Sequence, residues 1–508
     1  MEYHDEKNSG IGAKVTDKTV SFELNTDLSL PDYLGEVSRL LWVRPSVSAP
    51  TRFLTGESAE FSGRVCYGAL YAGADGRLYT AETEDTYSFS VPTSAPRADM
   101  LSVHVYPDVM VGRVAAPRKL SLRSKMHAHV CAYDEKSIDT VLPREFEEDV
   151  CRLGGVIECG RILHAEGESM ELFGEVEASG LSLLMPRAEV FLPEVSVCSG
   201  VVACRGEVIV TLLCHQADEG NGEGGEPYLP RPISHRLPFA LEIPLEGACS
   251  DCEARASATV EEIRVAENEG KLSVAVRLLP VATVACREPV AYTKDLFLPG
   301  HDTECHRREE GFFLPSICGN KNFSVSGTFP YAEIGLPEGA TVIDAMAEAE
   351  VKEKNTDGKS TVLSGEIHCH VLFMGGGEFG TSDVILPYRV TQEGTFEELS
   401  AVATVPVLSV RAERGGLRVD AELLLSLLGL TFGKVTPVSD AVFEARESDP
   451  EADLLLCYPA QGESLWDVAR RTAVPPRRIA EANGMNADDM EAESSLSGVP
   501  FLMIPDVK

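Results

Sequence analysis

Three stretches of the chain carry nearly the same sequence of apolar and polar positions: FSGRVCYGALY from Phe61, CRGEVIVTLLC from Cys204 and LSGEIHCHVLF from Leu363. Aligning Gly63, Gly206 and Gly365 brings Val65, Val208 and Ile367 into one column and Leu70, Leu213 and Leu372 into another. Each stretch reads as a β-strand. An apolar pair in extended context follows, YSFSV at Tyr87, LPFAL at Leu237 and LPYRV at Leu386, and the turn-rich residues between predict a hairpin. A third strand type, with period-two alternation, places Leu120, Leu272 and Leu417 in matching positions. The glycines lie 143 and 159 residues apart (206 − 63 and 365 − 206), a spacing that suits tandem domains and not a solenoid of short units.

A lone strand cannot offset its ordering entropy with the few apolar side chains it buries. Each repeat is therefore expected to fold as an antiparallel, sandwich-like pair of sheets. The predicted division is 1–140, 141–300 and 301–444 for the repeats, 445–452 for an acidic linker carrying Pro450, and 453–508 for a terminal module. Two helices are expected among the strands. One is PDYLGEVSRLLWV from Pro31, with Leu34, Val37, Leu40 and Leu41 on one helix face, and the other is REFEEDVCRLGG from Arg144. DEGNGEGGEPYLPRP from Asp218 reads as an exposed hairpin loop.

The pattern changes near the end of the chain. DLLLCYP reads as a strand, and Gly462 permits a turn. Ser464 and Asp467 then form a capping-box pair before a helix with apolar Leu465, Val468 and Ala469. Pro475 and Pro476 end that helix and open a second, for which Asn483 and Gly484 supply a left-handed cap. FLMIP from Phe501 returns as a strand. The predicted order is βααβ, so the fold class is mainly β with a small α+β module at the end.

Charge narrows the partners. Eighty Asp and Glu against 45 Lys and Arg give a formal net charge of -35, which disfavours nucleic acid and anionic membrane surfaces. No apolar run is long enough to span a membrane, and MEYHDEKNSGIGAKV lacks the pattern of a signal peptide. The 14 cysteines are scattered, as fits thiols kept reduced in a cytoplasm.

Motifs for chemistry are sparse. GGGEFG at Gly375 precedes a strand-like run and reads as a hairpin turn, with no helix to receive a pyrophosphate. Cys249 and Cys252 form one C-x-x-C, to which Cys305 and His306 could be added for zinc, but a second C-x-x-C is missing and unpaired thiols are the expectation. His368 and His370 share a strand face without a third ligand. No G-x-S-x-G, H-E-x-x-H or P-loop occurs, so no catalytic residue, metal or cofactor is assigned.

Tyr458, Gly462, Glu463, Ser464, Leu465, Trp466, Val468, Ala469, Asn483, Ile504 and Pro505 stand where a LysM domain has its characteristic residues, and the terminal module resembles that family. It departs in having Glu463-Ser464 where Asp-Thr is usual, and in the long acidic stretch MNADDMEAESSLSGVP. The resemblance implies a groove between two loops, formed by Gly462, Glu463, Ser464 and Leu465 on one side and Asn483, Gly484, Met485 and Asn486 on the other. Trp466 is either a packing residue or an exposed anchor of that groove. Leu465, Val468, Ala469 and Ile479 also suit the core of so small a domain.

PDYLGEVSRLLWV, VCYGALY, YSFSVP and PRKLSLRSKM resemble the SPOCS repeat, and tandem SPOCS repeats before a LysM resemble the SipL-type spore morphogenesis proteins. That resemblance implies a non-enzymatic protein of the mother-cell cytoplasm, gathered at the outer forespore surface, whose LysM binds the coat's basement-layer ATPase. The repeats are candidates for self-association. The alternative reading is binding of peptidoglycan, an N-acetylglucosamine polymer. A cell-wall hydrolase would need a catalytic domain, and repeated β-structure accounts for the rest of the chain.

Overall fold

The computed structural model describes residues 10–141, 150–216, 229–268, 270–446, 454–485 and 495–505. The chain is mainly β, built from antiparallel sheets. Its first unit holds β1 (Gly10–Ser29), β2 (Val37–Val47), β3 (Thr51–Thr55), β4 (Ser58–Gly73), β5 (Leu78–Pro92), β6 (Leu101–Ala116) and β7 (Lys119–Ser137). β7 lies between β1 and β6 in one sheet, and in the other β4 is central, paired with β2 and β3 at its two ends on one side and with β5.

The same pairing recurs twice. The second unit holds β8 (Cys151–Glu166), β9 (Met170–Glu177), β10 (Leu181–Cys198), β11 (Val201–Gln216), β12 (Arg231–Pro244), β13 (Glu253–Asn268) and β14 (Lys271–Phe297). There β14 is central among β13, β8 and β9, and β11 is flanked by β10 and β12. After β15 (His301–Arg307), the third unit holds β16 (Glu310–Pro330), β17 (Thr341–Thr356), β18 (Ser360–Gly375), β19 (Glu378–Glu393), β20 (Glu398–Glu413) and β21 (Gly416–Val435). β21 lies between β16 and β20, β18 lies between β17 and β19, and β15 pairs with β22 (Val438–Ala445).

The repeated glycine has a physical reason at this position. In the first and third units it faces a tyrosine on the next strand, Gly63 opposite Tyr87 and Gly365 opposite Tyr388. The ring lies across the glycine, where a Cβ on Gly365 would come within 2.5 Å of the Tyr388 hydroxyl. That hydroxyl continues past the glycine and donates to the Glu350 carbonyl at 2.9 Å, as Tyr87 donates to Ser48 at 3.1 Å. On the other flank the neighbouring strand bulges, between Val351 and Glu353 in β17 and between Phe191 and Glu194 in β10. Only a residue without a side chain leaves room for both approaches. In the second unit Phe239 takes the tyrosine's place.

The two aligned apolar columns go to different places. Val65, Val208 and Ile367 are fully buried, each in the core of its own unit. Leu70, Leu213 and Leu372 instead meet in a single cluster with Leu41, Trp42, Ile343 and Phe379, drawn from all three units. Around it Arg44 reaches Glu189 at 2.5 Å, Arg187 forms a forked pair with Asp344, and Arg39 donates to the Phe379 carbonyl. Arg44 and Arg187 are 143 residues apart (187 − 44), the spacing that separates Gly63 from Gly206.

Two expected helices need correction. Residues 31–36 form a turn, with the Leu34 N–H donating to the Pro31 carbonyl, and Val37–Val47 is strand β2. Bulges between Val37 and Arg39 and between Leu40 and Trp42 shift the in–out alternation, so a strand acquires apolar spacings that mimic a helix face. Of the expected helix from Arg144, residues 144–149 lie outside the described residues, and Cys151–Gly155 belong to strand β8. Of the expected loop from Asp218, residues 218–228 also lie outside them and Arg231–Pro232 belong to strand β12, while residues 447–453 lie outside them too and Ala445 ends β22. GGGEFG is the turn of the β18–β19 hairpin, with Gly376 and Gly377 at positive φ.

The last segment runs β23 (Leu454–Cys457), α1 (Leu465–Thr472), α2 (Pro476–Ala482) and β24 (Leu502–Pro505), with β23 and β24 paired antiparallel. Among the described residues no helix is long and apolar enough to cross a membrane.

Candidate functional site in the terminal module

Ser464 begins α1. Its hydroxyl accepts from the Asp467 N–H, and the Asp467 carboxylate accepts from the Ser464 N–H, so both halves of the capping box are present. The Ser464 hydroxyl also donates to the Asp467 carboxylate at 2.6 Å, and together with the Ser464 N–H it holds that carboxyl below its ordinary range. Gly462 takes φ +85° in the preceding turn, and Gly484, with φ +65°, follows α2. The left-handed residue after α2 is Gly484 alone; Asn483 stays at φ −102°.

The expected groove residues are brought near one another, but most are committed to internal bonds. The Glu463 carbonyl accepts from the Leu496 N–H, and its carboxylate holds Arg471 at 2.9 Å. Ser464 bridges Ser495. Asn483 exchanges bonds with the Met503 backbone and also donates to the Ile479 carbonyl. Met485 packs against the module core. Gly462 and Gly484 are exposed, and Asn486 lies outside the described residues, as do Asp488, Asp489, Glu491 and Glu493.

Leu465 and Trp466 do not line a groove. Leu465 is 3% exposed and Trp466 is 5% exposed. Helix α1 is short and uses two faces, one for the module's own core and one for the rest of the chain. Trp466 meets Phe297 edge to face at 5.3 Å, and its indole N–H donates to Asp295 at 2.9 Å. Arg470, one turn later on the same face, donates to the same Asp295 oxygen at 3.1 Å and to the Thr303 carbonyl. Arg307 holds the other Asp295 oxygen at 2.8 Å. The Gly300 N–H donates to the Ala473 carbonyl, and Phe297 joins the module's core cluster. The module is thus seated on the end of β14 and the start of β15. The i, i+4 spacing of Trp466 and Arg470 was the sequence signal for this second face.

No protein-family model, curated protein or solved structure matches this chain.

The exposed apolar surface of the module lies elsewhere, on the β23–β24 ladder. Cys457 faces Leu502, and both are buried; Leu456 faces Met503 on the opposite side of the ladder. Leu456 is 50% exposed, Tyr458 70% and Phe501 45%; Leu455, 56% exposed, pairs with Ile504 on the other face of the ladder. Sequence reasoning missed this strip because DLLLCYP reads as a strand without showing which of its faces is covered. In a two-stranded ladder only one face can be covered by two short helices.

The C-x-x-C does not combine with Cys305 and His306. Cys305 lies on β15, where its thiol contacts Asp295 and Arg470, whereas Cys249 and Cys252 lie beside Cys286 of β14. Cys252 and Cys286 are disulfide-bonded, a correction to the expectation that every thiol is free. The cause is register: Glu253 pairs with Ala285, which places Cys252 beside Cys286 across the ladder.

Proposed function

We propose that the chain is a non-enzymatic morphogenesis protein of the spore envelope, with three SPOCS-like units and a LysM-like module that docks the basement-layer ATPase at the outer forespore surface. The observation that carries this reading is the strip of Leu456, Tyr458 and Phe501, an exposed apolar surface of the kind that marks protein interfaces. The polar groups expected to grip a sugar are mostly bonded within the module. Seating the module through Trp466 and Arg470 leaves the strip open.

The test is capture of the purified ATPase by the full-length chain carrying Tyr458→Ala and Phe501→Ser. Loss of the two aromatic anchors is expected to weaken binding at least about tenfold, with the melting temperature unchanged. Unchanged capture of the ATPase overturns the reading. Exposed Tyr458 and Phe501 also suit stacking on a sugar ring, which favours peptidoglycan as the second reading. That reading expects the full chain to sediment with insoluble peptidoglycan and the double variant to remain in solution.

A further inference from the structure

Cys249, Cys252 and Cys286 bring three sulfur atoms within 4.8 Å of one another. Two are bonded and buried: Cys252 is 8% exposed, Cys286 is 2% exposed, and a disulfide joins them. The third is neither. Cys249 is an exposed free thiol whose sulfur lies 3.0 Å from that of Cys252. The loop between β12 and β13 makes this approach, because the Cys252 N–H donates to the Cys249 carbonyl and closes a tight turn. Cys66 and Cys198 are also exposed and free.

We propose that the three cysteines form a thiol–disulfide exchange site, which carries the oxidising equivalents of a buried disulfide to the surface and accepts small or protein thiols at Cys249. The Cys249 thiolate attacks the Cys252 sulfur, a Cys249–Cys252 bond forms, and the Cys252–Cys286 bond breaks. Cys286 leaves as a thiolate and takes up the proton that Cys249 gave up. No external oxidant is needed, since one disulfide replaces another. An incoming thiolate then attacks Cys249 and forms a mixed disulfide there, while Cys252 is released as the leaving thiolate and is protonated. Burial alone would keep the Cys252–Cys286 bond out of reach of that thiol, because exchange requires access to a sulfur atom. The exposed third cysteine supplies the access.

The test uses the full-length chain purified without reductant, alkylated and mapped as disulfide-linked peptides by mass spectrometry. Both the Cys252–Cys286 and the Cys249–Cys252 linkages are expected in the wild type. Cys249→Ser is expected to retain only the first and Cys286→Ser only the second. Cys249→Ser alters one exposed residue, so it tests the idea even if Cys286→Ser fails to fold. Reduced glutathione, added without oxidant, is expected to form an adduct at Cys249, at least tenfold above any adduct at Cys66 or Cys198, and none at Cys249 in Cys252→Ser. Failure to find the Cys249–Cys252 linkage in the wild type, or an adduct at Cys249 no greater than at Cys66, overturns the proposal. Isolation of the chain with zinc held by all three cysteines, each protected from alkylation, also overturns it.

Discussion

Individual residues decide how tightly the sheets close. At Gly365 a side chain would meet the Tyr388 hydroxyl from one flank and the Glu350 carbonyl from the other. Gly365→Ala is therefore expected to cost about 1–3 kcal/mol as an overpacking change, and Tyr388→Phe, which loses one hydrogen bond, about 1 kcal/mol. Urea denaturation of the two variants checks the order. His164 governs a pH dependence. Burial, with the nearby charges of Arg52 and Arg255, lowers its pKa from 6.5 to about 3, and its Nε2 is buried without a hydrogen-bond partner among the described residues. Protons therefore bind the unfolded chain first as the pH falls below 6.5. The stability that the neutral ring contributes is intact above 6.5 and drains away towards pH 3. His164→Gln should flatten the fall in melting temperature between pH 7 and pH 4.5, and an equal fall in both proteins would refute this role. The glycine and its two apolar columns were legible in the sequence because identical spacing recurs. The tyrosine hydroxyls that explain the glycine were not, since their acceptors lie 38 and 39 residues away along the chain.

At the scale of elements, β2 and α1 show where periodicity misleads and where it is incomplete. Bulges gave β2 the spacing of a helix, and a short helix packed on two sides hid the second role of Trp466. The capping box was readable because its two partners are three residues apart; the seat on Asp295 was not, because 171 residues separate it from Trp466. Removing that carboxylate leaves an indole N–H and the Arg470 guanidinium without their acceptor in a part-buried site. Asp295→Ala should weaken the seat by about 2–4 kcal/mol, seen as faster hydrogen exchange in α1 and β15 with exchange in β18 unchanged. Protection of α1 at the wild-type level would show that the module stays seated without that carboxylate.

Across the whole molecule, the recurring glycine and leucine positions were legible in the sequence, whereas the meeting of Leu70, Leu213 and Leu372 was not, because spacing along a chain says nothing about how separate units face one another. That shared cluster predicts coupled unfolding. Calorimetry should show one transition for the three units, and Leu213→Ala should lower the stability of all of them by about 2–5 kcal/mol. Three separate transitions, with only the second displaced, would contradict this. The meeting point also fixes a number. A row of stacked modules can be lengthened or shortened by one, because each copy touches only its neighbours. Here every copy gives a leucine to the same small space, so removing one would open an oily gap and a fourth would find no room.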